Sequence, residues 1–297
     1  MIRFGPAGWD YPDWRGKVYP RPAPRGFDPL AYLARFFDTV EVNSTFYRPQ
    51  PAKVARAWCE RVRANRDFRF TAKAWKRLTH EREAYGAEEI AAVRGALDAM
   101  AEEGRLGAVL LQFPWSFKRE RASIEWLRDL VGALIELPLV VEVRHVSWNV
   151  RETYEELAER GVGFVNLDQP LFKDSLRPSA VATSRIGYVR VHGRNYKDWF
   201  REKAGRDARY DYMYTADELE RWAERARSLS EEAQVEDVYV VTNNHFEGKA
   251  VANAAMLESM VERRRVLAPP DLVESYRDVL APFAEPAAAE PVQTRLL

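Results

Sequence analysis

Cysteine is nearly missing from this chain: among 297 residues, Cys59 stands alone. A single thiol excludes an intrachain disulfide and any metal site built on thiolates. Cys59 lies in the helix-like stretch Ala52 to Ala64, where a small buried filler is the expected role. An excess of either charge is also missing, because 45 Lys+Arg balance 45 Asp+Glu. That balance argues against a surface that grips nucleic acid or anionic lipid throughout, and it leaves room for a local basic cleft. No apolar run approaches the roughly 20 residues needed to cross a bilayer. No basic segment followed by an apolar one opens the chain. These absences together predict a reduced, cytoplasmic protein with no membrane partner, of undetermined oligomeric state.

What is present is material for a core. Nine Trp, thirteen Tyr and fourteen Phe within a 46% hydrophobic composition can offset the ordering entropy of folding. Eight strand-like segments recur: Ile2 to Trp9, Thr39 to Tyr47, Asp67 to Trp75, Leu106 to Pro114, Leu137 to His145, Gly161 to Gln169, Ile186 to Asn195 and Asp237 to His245. Their starts lie about 34 residues apart, close to one βαβ unit. Helical spacing fills the gaps, as in Ile90, Val93, Leu97 and Met100, and Thr215 with Glu218 reads as a capping box. Strict alternation predicts a parallel sheet with right-handed crossovers, and eight units favour a (β/α)8 TIM-type barrel. No glycine-rich dinucleotide fingerprint follows any strand, which weakens an open doubly wound sheet. The expected domains are a barrel over 1–267 and a C-terminal extension over 268–297 whose Pro/Ala-rich part, from Ala281, should fray. Two connections stand out as aromatic-rich: Asp10 to Gly26, and Tyr196 to Tyr214 with Trp199 and Phe200.

Alternation along the strands places the chemistry. Val40 and Val42 oppose Glu41 and Asn43; Phe70 and Ala72 oppose Thr71 and Lys73; Val141 and Val143 oppose Glu142 and Arg144; Val165 and Leu167 oppose Asn166 and Asp168; Val189 and Val191 oppose Arg190 and His192. In a closed barrel one set must face the helices, so the polar set is assigned to the lumen, near the strand ends where barrel enzymes work. The predicted mouth holds Glu41, Asn43, Lys73, Gln112, Glu142, Arg144, Asp168, Arg190, His192 and Asn243. All four histidines, at 80, 145, 192 and 245, fall at or just past a strand end. His192 is the best placed, while parity turns His145 outward.

Glu41, Lys73, Glu142 and His192 are the candidate catalytic groups. Asn43, Gln112, Arg144, Arg190, Arg194 and Asn243 are the candidate binders of substrate or anion. Glu41, Glu142, Asp168 and His192 form an oxygen-rich set with one imidazole that would suit Mn, Mg or Zn. Lys73 suits an imine-forming amine if the lumen lowers its pKa.

The residues of these segments carry a resemblance. Gly8-Trp9-Asp10-Tyr11-Pro12 through Trp14-Arg15-Gly16, Glu41-Val42-Asn43-Ser44-Thr45-Phe46-Tyr47, Lys73-Ala74 with Leu78-Thr79-His80, Leu111-Gln112-Phe113-Pro114, Glu142-Val143-Arg144-His145, Arg190-Val191-His192-Gly193-Arg194 and Asn243-Asn244 resemble the motifs of the YecE-like proteins, a domain family of unknown function. The resemblance implies a (β/α)8 barrel similar to those of sugar isomerases and metal-dependent endonucleases, and it carries no activity with it. Ala7 stands where a serine is usual, Trp115 replaces a second proline, and Val146 replaces the proline after the histidine. The first expectation for function is a phosphoester hydrolase or nuclease-like enzyme acting on a phosphorylated or other anionic ligand. Metal-free sugar isomerase or lyase chemistry, and a non-catalytic anion- or nucleotide-binding role, are the alternatives. Nucleic acid is the less supported partner because the net charge is zero.

Overall fold

The computed structural model describes residues 1–196 and 209–288. Its eight long strands are β1 Ile2–Pro6, β2 Thr39–Val42, β3 Arg69–Lys73, β4 Leu106–Gln112, β5 Leu139–Glu142, β6 Gly163–Asp168, β7 Ile186–Val191 and β8 Asp237–Thr242. All pair in parallel in one sheet ordered β1-β8-β7-β6-β5-β4-β3-β2. The ring closes where Ala7 pairs with Glu41 and the Gly8 amide donates to the Glu41 carbonyl at 2.9 Å. The eight strand-like segments of the sequence thus become one (β/α)8 barrel. Its longer helices carry amphipathic faces; Leu219, Trp222, Ala226 and Leu229 of Ala216–Glu231 are buried. That helix opens with the expected capping box, in which Glu218 Oε2 accepts from the Thr215 amide at 3.0 Å. Among the described residues, no helix is long and apolar enough to cross a membrane.

Strand register fixes which side chains share the lumen, because partners across parallel strands point to the same face. Gly5 pairs with Val241, Arg190 with both Val241 and Leu167, Gln112 with Glu142, and Glu41 with Thr71. The lower lumen is apolar, an enclosed cluster of Ala108, Leu110, Val140, Val165, Ile186, Tyr188, Tyr239 and Val241. The charged groups sit above it, toward the C-terminal strand ends.

One strand reverses the expected parity. On β6, Leu167 pairs with Arg190 and Asp168 with Val191, so Val165 and Leu167 face the lumen while Asn166 and Asp168 face outward. Polar groups are tolerated there because surrounding chain satisfies them. Asn166 accepts from Ser179 Oγ at 2.7 Å and from the Val181 amide at 2.8 Å. The tail also departs from expectation: Ala284–Pro286 forms a strand, β10, paired in parallel with β9 at Val266–Ala268. Fraying therefore does not begin at Ala281. Its three residues are too few to show a period-2 pattern, which is why sequence reading passes over them. Trp199 and Phe200 lie outside the described residues.

Barrel closure is sterically tight at one point. A Cβ built on Gly5 would lie 1.8 Å from the Thr39 carbonyl oxygen of β2, so only glycine allows β1 and β2 to meet. Gly132, in a helix, has nothing within 4 Å of such an atom. We expect Gly5→Ala to cost at least about 3 kcal/mol in urea denaturation. Gly132→Ala should be neutral or stabilising by up to about 1 kcal/mol.

Candidate active site

The charged layer is built around Arg190, which register places near the C-terminal end of β7 with its side chain in the lumen. Its guanidinium binds Glu41 through two donors, Nε to Oε2 at 2.9 Å and Nη2 to Oε1 at 2.6 Å. Its third nitrogen, Nη1, donates to Glu142 Oε2 at 2.8 Å. Arg144 caps the other oxygen of Glu142, Nε to Oε1 at 2.9 Å. Beneath, Tyr188 donates to Glu41 Oε2 at 3.0 Å. Glu41, Glu142, Arg190 and His192 are all at 0% exposure. Two carboxylates against two guanidiniums leave this layer without net charge.

Burial decides the protonation states. Burial alone would raise the Glu142 carboxyl, but Arg190 and Arg144 override it and hold the group well below the usual carboxylate range. Burial and then Arg144 push His192 down to about 3, so it is a neutral imidazole. Asn243 Nδ2 lies 3.0 Å from His192 Nδ1 and Glu142 Oε1 lies 3.2 Å from Nε2. Nε2 also lies 3.2 Å from Arg144 Nη2 and 3.4 Å from Arg190 Nη1, so a carboxylate and two guanidiniums converge on it.

Above this layer opens a cavity of about 410 Å³ lined by Lys73, Arg144, Arg209, His80, His245, Asn43, Gln112 and Asn243. Aromatic walls complete it: Tyr11, Phe46, Tyr47, Trp115 and Tyr210. Tyr11 stacks on His245 at 4.4 Å between ring centroids, and Phe46 meets His80 edge-on at 4.8 Å. The Lys73 ammonium nitrogen sits 4.0 Å from the centre of the Phe46 ring. Burial first, and Arg190 second, lower its pKa to about 7, outweighing Glu41 and Glu142, which raise it. Burial, then Lys73 and Arg144, lower His80 to about 4.

The structure therefore brings together nine of the ten residues assigned to the mouth and sorts them into two tiers. Lys73, Asn43, Gln112, Arg144 and Asn243 reach the cavity, whereas Glu41, Glu142, Arg190 and His192 form its buried floor. Asp168 is not among them. Its carboxylate is held outside the barrel wall by Arg194, Nε to Oδ2 at 2.8 Å, and by the Tyr214 hydroxyl at 2.5 Å. Arg194 goes with it, donating also to Glu218 at 3.0 Å. The expected metal set of Glu41, Glu142, Asp168 and His192 is thus not assembled, and among the described residues no three His, Cys, Asp or Glu side chains are placed to hold an ion.

His145 faces away from the lumen, as parity implied, with Nδ1 accepting from the Ser147 amide at 3.1 Å. Tyr188 was passed over in the sequence, although it precedes Arg190 by two and shares its face. Arg209, in the connection that follows β7, carries no sequence signal. The loop Asp10 to Gly26 does cover the mouth: Trp14 is fully buried and donates to the His245 carbonyl at 2.7 Å.

The profile of the family described as "Protein of unknown function DUF72" matches residues 3–274. The chain belongs to this family. UPF0759 protein YunF of Bacillus subtilis is 29% identical over 276 residues, covering 88% of this chain and 95% of that one. UPF0759 protein YecE of Escherichia coli K12 is 31% identical over 184 residues, 57% of this chain and 59% of that one. A crystal structure of a DUF72 family protein from Thermotoga maritima is 33% identical and superposes with a TM-score of 0.73, covering 88% of this chain and 99% of that one. One from Enterococcus faecalis is 23% identical with a TM-score of 0.75, covering 88% and 96%, and shares the fold. The resemblance read from the motifs is thereby shown.

The buried imidazole has a consequence for acid stability. His192 has an ordinary pKa of 6.5 and a folded one of about 3. Above pH 7 it is neutral in both states and contributes nothing to the pH dependence. Between 6.5 and 3 the unfolded chain binds a proton that the folded chain refuses, so stability falls as pH falls. From pH 7 to pH 5 the loss from this residue should be about 2 kcal/mol. Urea midpoints at the two pH values should differ by that much less in His192→Gln than in the wild type. An equal pH difference in both would contradict the assignment.

Proposed function

We propose that this DUF72 protein is an enzyme that binds a small anionic organic molecule, phosphorylated or carboxylated, at the barrel mouth and transforms it there. The observation that supports this reading is the sign of the lining. Arg144 and Arg209 face the cavity with Lys73, and among the described residues no Asp or Glu lines it. The volume, about 410 Å³, falls in the range of small-molecule sites. The C-terminal end of the strands is where barrel enzymes hold their reactive groups. The aromatic walls suit a ring or a short carbon skeleton beside the anionic group.

The geometry moves the chemistry away from phosphoester hydrolysis. The carboxylates expected to serve that route as base or metal ligand, Glu41 and Glu142, are both buried under arginine. The groups that do reach the cavity are an amine, imidazoles and amides, which suit isomerase- or lyase-type steps on a carbonyl compound. The buried layer then has a positioning task, since Glu142 orients Arg144 toward the ligand.

Thermal melting with inorganic phosphate, sulfate, sugar phosphates and 2-oxo acids tests the reading. At least one anion should raise stability by mass action, by about 2.7 kcal/mol at 100 times its dissociation constant. Lys73→Met and Arg144→Gln should each weaken that ligand about tenfold or more, the loss of one charge-assisted contact. No stabilisation by any anion, or equal stabilisation in both variants, would count against an anionic ligand.

A further inference from the structure

Lys73 differs from the other cations of the lumen in what surrounds it. Arg190 and Arg144 are locked to carboxylates at 2.6 to 2.9 Å. Among the described residues, the Lys73 nitrogen has no carboxylate partner and rests against the Phe46 ring at 4.0 Å. It lines the cavity from the end of β3, a rigid position, beside His80 and Asn43. The charges facing it are Arg190 and Arg144, which disfavour its ammonium form, and Glu41 and Glu142, which favour it but are spent on those arginines. His80, from the helical turn Arg77–Glu81 after β3, is itself held neutral. A lysine set against an aromatic face among cations, with no anion to hold its proton, is the arrangement that keeps an amine nucleophilic at neutral pH.

We infer that Lys73 is an imine-forming nucleophile and that the mouth takes a small aldehyde or ketone carrying a phosphate or carboxylate. This rests on the reading of the cavity as an anion site and names the reacting group within it. The Nζ lone pair attacks the carbonyl carbon while the C=O π pair moves onto oxygen. The amine proton passes to that oxygen, giving a neutral carbinolamine. A proton from solvent then joins the hydroxyl, and water leaves as the nitrogen lone pair forms C=N, giving a protonated imine on Lys73. Neutral His80, lining the same cavity, is available to carry the proton between nitrogen and oxygen. Anionic substituents on the carbonyl compound pair with Arg144 and Arg209, the remaining cations of the lining.

Two probes separate the amine from the anion site. Formaldehyde with cyanoborohydride reads the amine alone, and pyridoxal 5′-phosphate against pyridoxal, each reduced with borohydride, reads the amine with its anion site. Adducts are located by peptide mass mapping on the folded wild-type chain at pH 7.5. With formaldehyde, Lys73 should be modified at least about tenfold faster than exposed Lys53 or Lys118. Pyridoxal phosphate should label it at least about tenfold faster than pyridoxal, as a charge-assisted contact provides. Lys73→Arg should keep the far-ultraviolet circular dichroism of the wild type and lose both adducts. Formaldehyde labelling of Lys73 no faster than of Lys53 overturns the inference, whatever anions do to the melting temperature. Fast formaldehyde labelling with no preference for the phosphate-bearing aldehyde overturns the anionic substrate class.

Discussion

Everything at the mouth depends on one buried guanidinium. Arg190 bridges β2 and β5 across the lumen by holding Glu41 and Glu142 at once, and all three side chains are at 0% exposure. Buried charges cost several kcal/mol each unless paired and fully hydrogen-bonded, and removing one partner costs about 3–5 kcal/mol. Here the bonds are supplied: Tyr188 completes Glu41, while Arg144 and His192 complete Glu142. An apolar plug would fill the same volume with less desolvation. What the ionic layer adds is position, because Glu142 aims Arg144 upward while both carboxylates bond to arginine and not to Lys73. The lumen is thus graded from an apolar floor through a neutral ionic layer to a basic cavity.

That grading is why residue types mislead when taken singly. Glu41, Glu142 and His192 carry the side chains expected of acid–base or metal chemistry. In place, both carboxylates are consumed by arginine and the imidazole is buried and neutral. The groups that line the cavity are the plainer ones, an amine, two guanidiniums, two imidazoles and three amides beside aromatic walls.

The barrel was legible in the sequence because its evidence is repeated. Eight segments with regular spacing point to one architecture, and alternation in β2, β3, β5 and β7 gives the correct face each time. On β6 the same rule fails, because Asn166 and Asp168 find polar partners outside the barrel wall. Alternation reports which residues share a face and not which face is inside. Pairing was illegible for a different reason. Whether Glu41 meets a ligand or Arg190 depends on a contact across 149 residues, which no local pattern encodes. Arg209 and Tyr210 reach the cavity from the connection between β7 and the helix Ala216–Glu231, where no sequence period exists to place them.

The central claim is that the ionic layer stays buried and presents a basic mouth to an anion. A crystal structure grown with inorganic phosphate at high concentration tests it most directly. Phosphate should lie in the mouth cavity within hydrogen-bond distance of Lys73 and Arg144, with Glu41 and Glu142 still closed on Arg190. A mouth without phosphate, or one in which either glutamate has turned up to face solvent, would contradict the account.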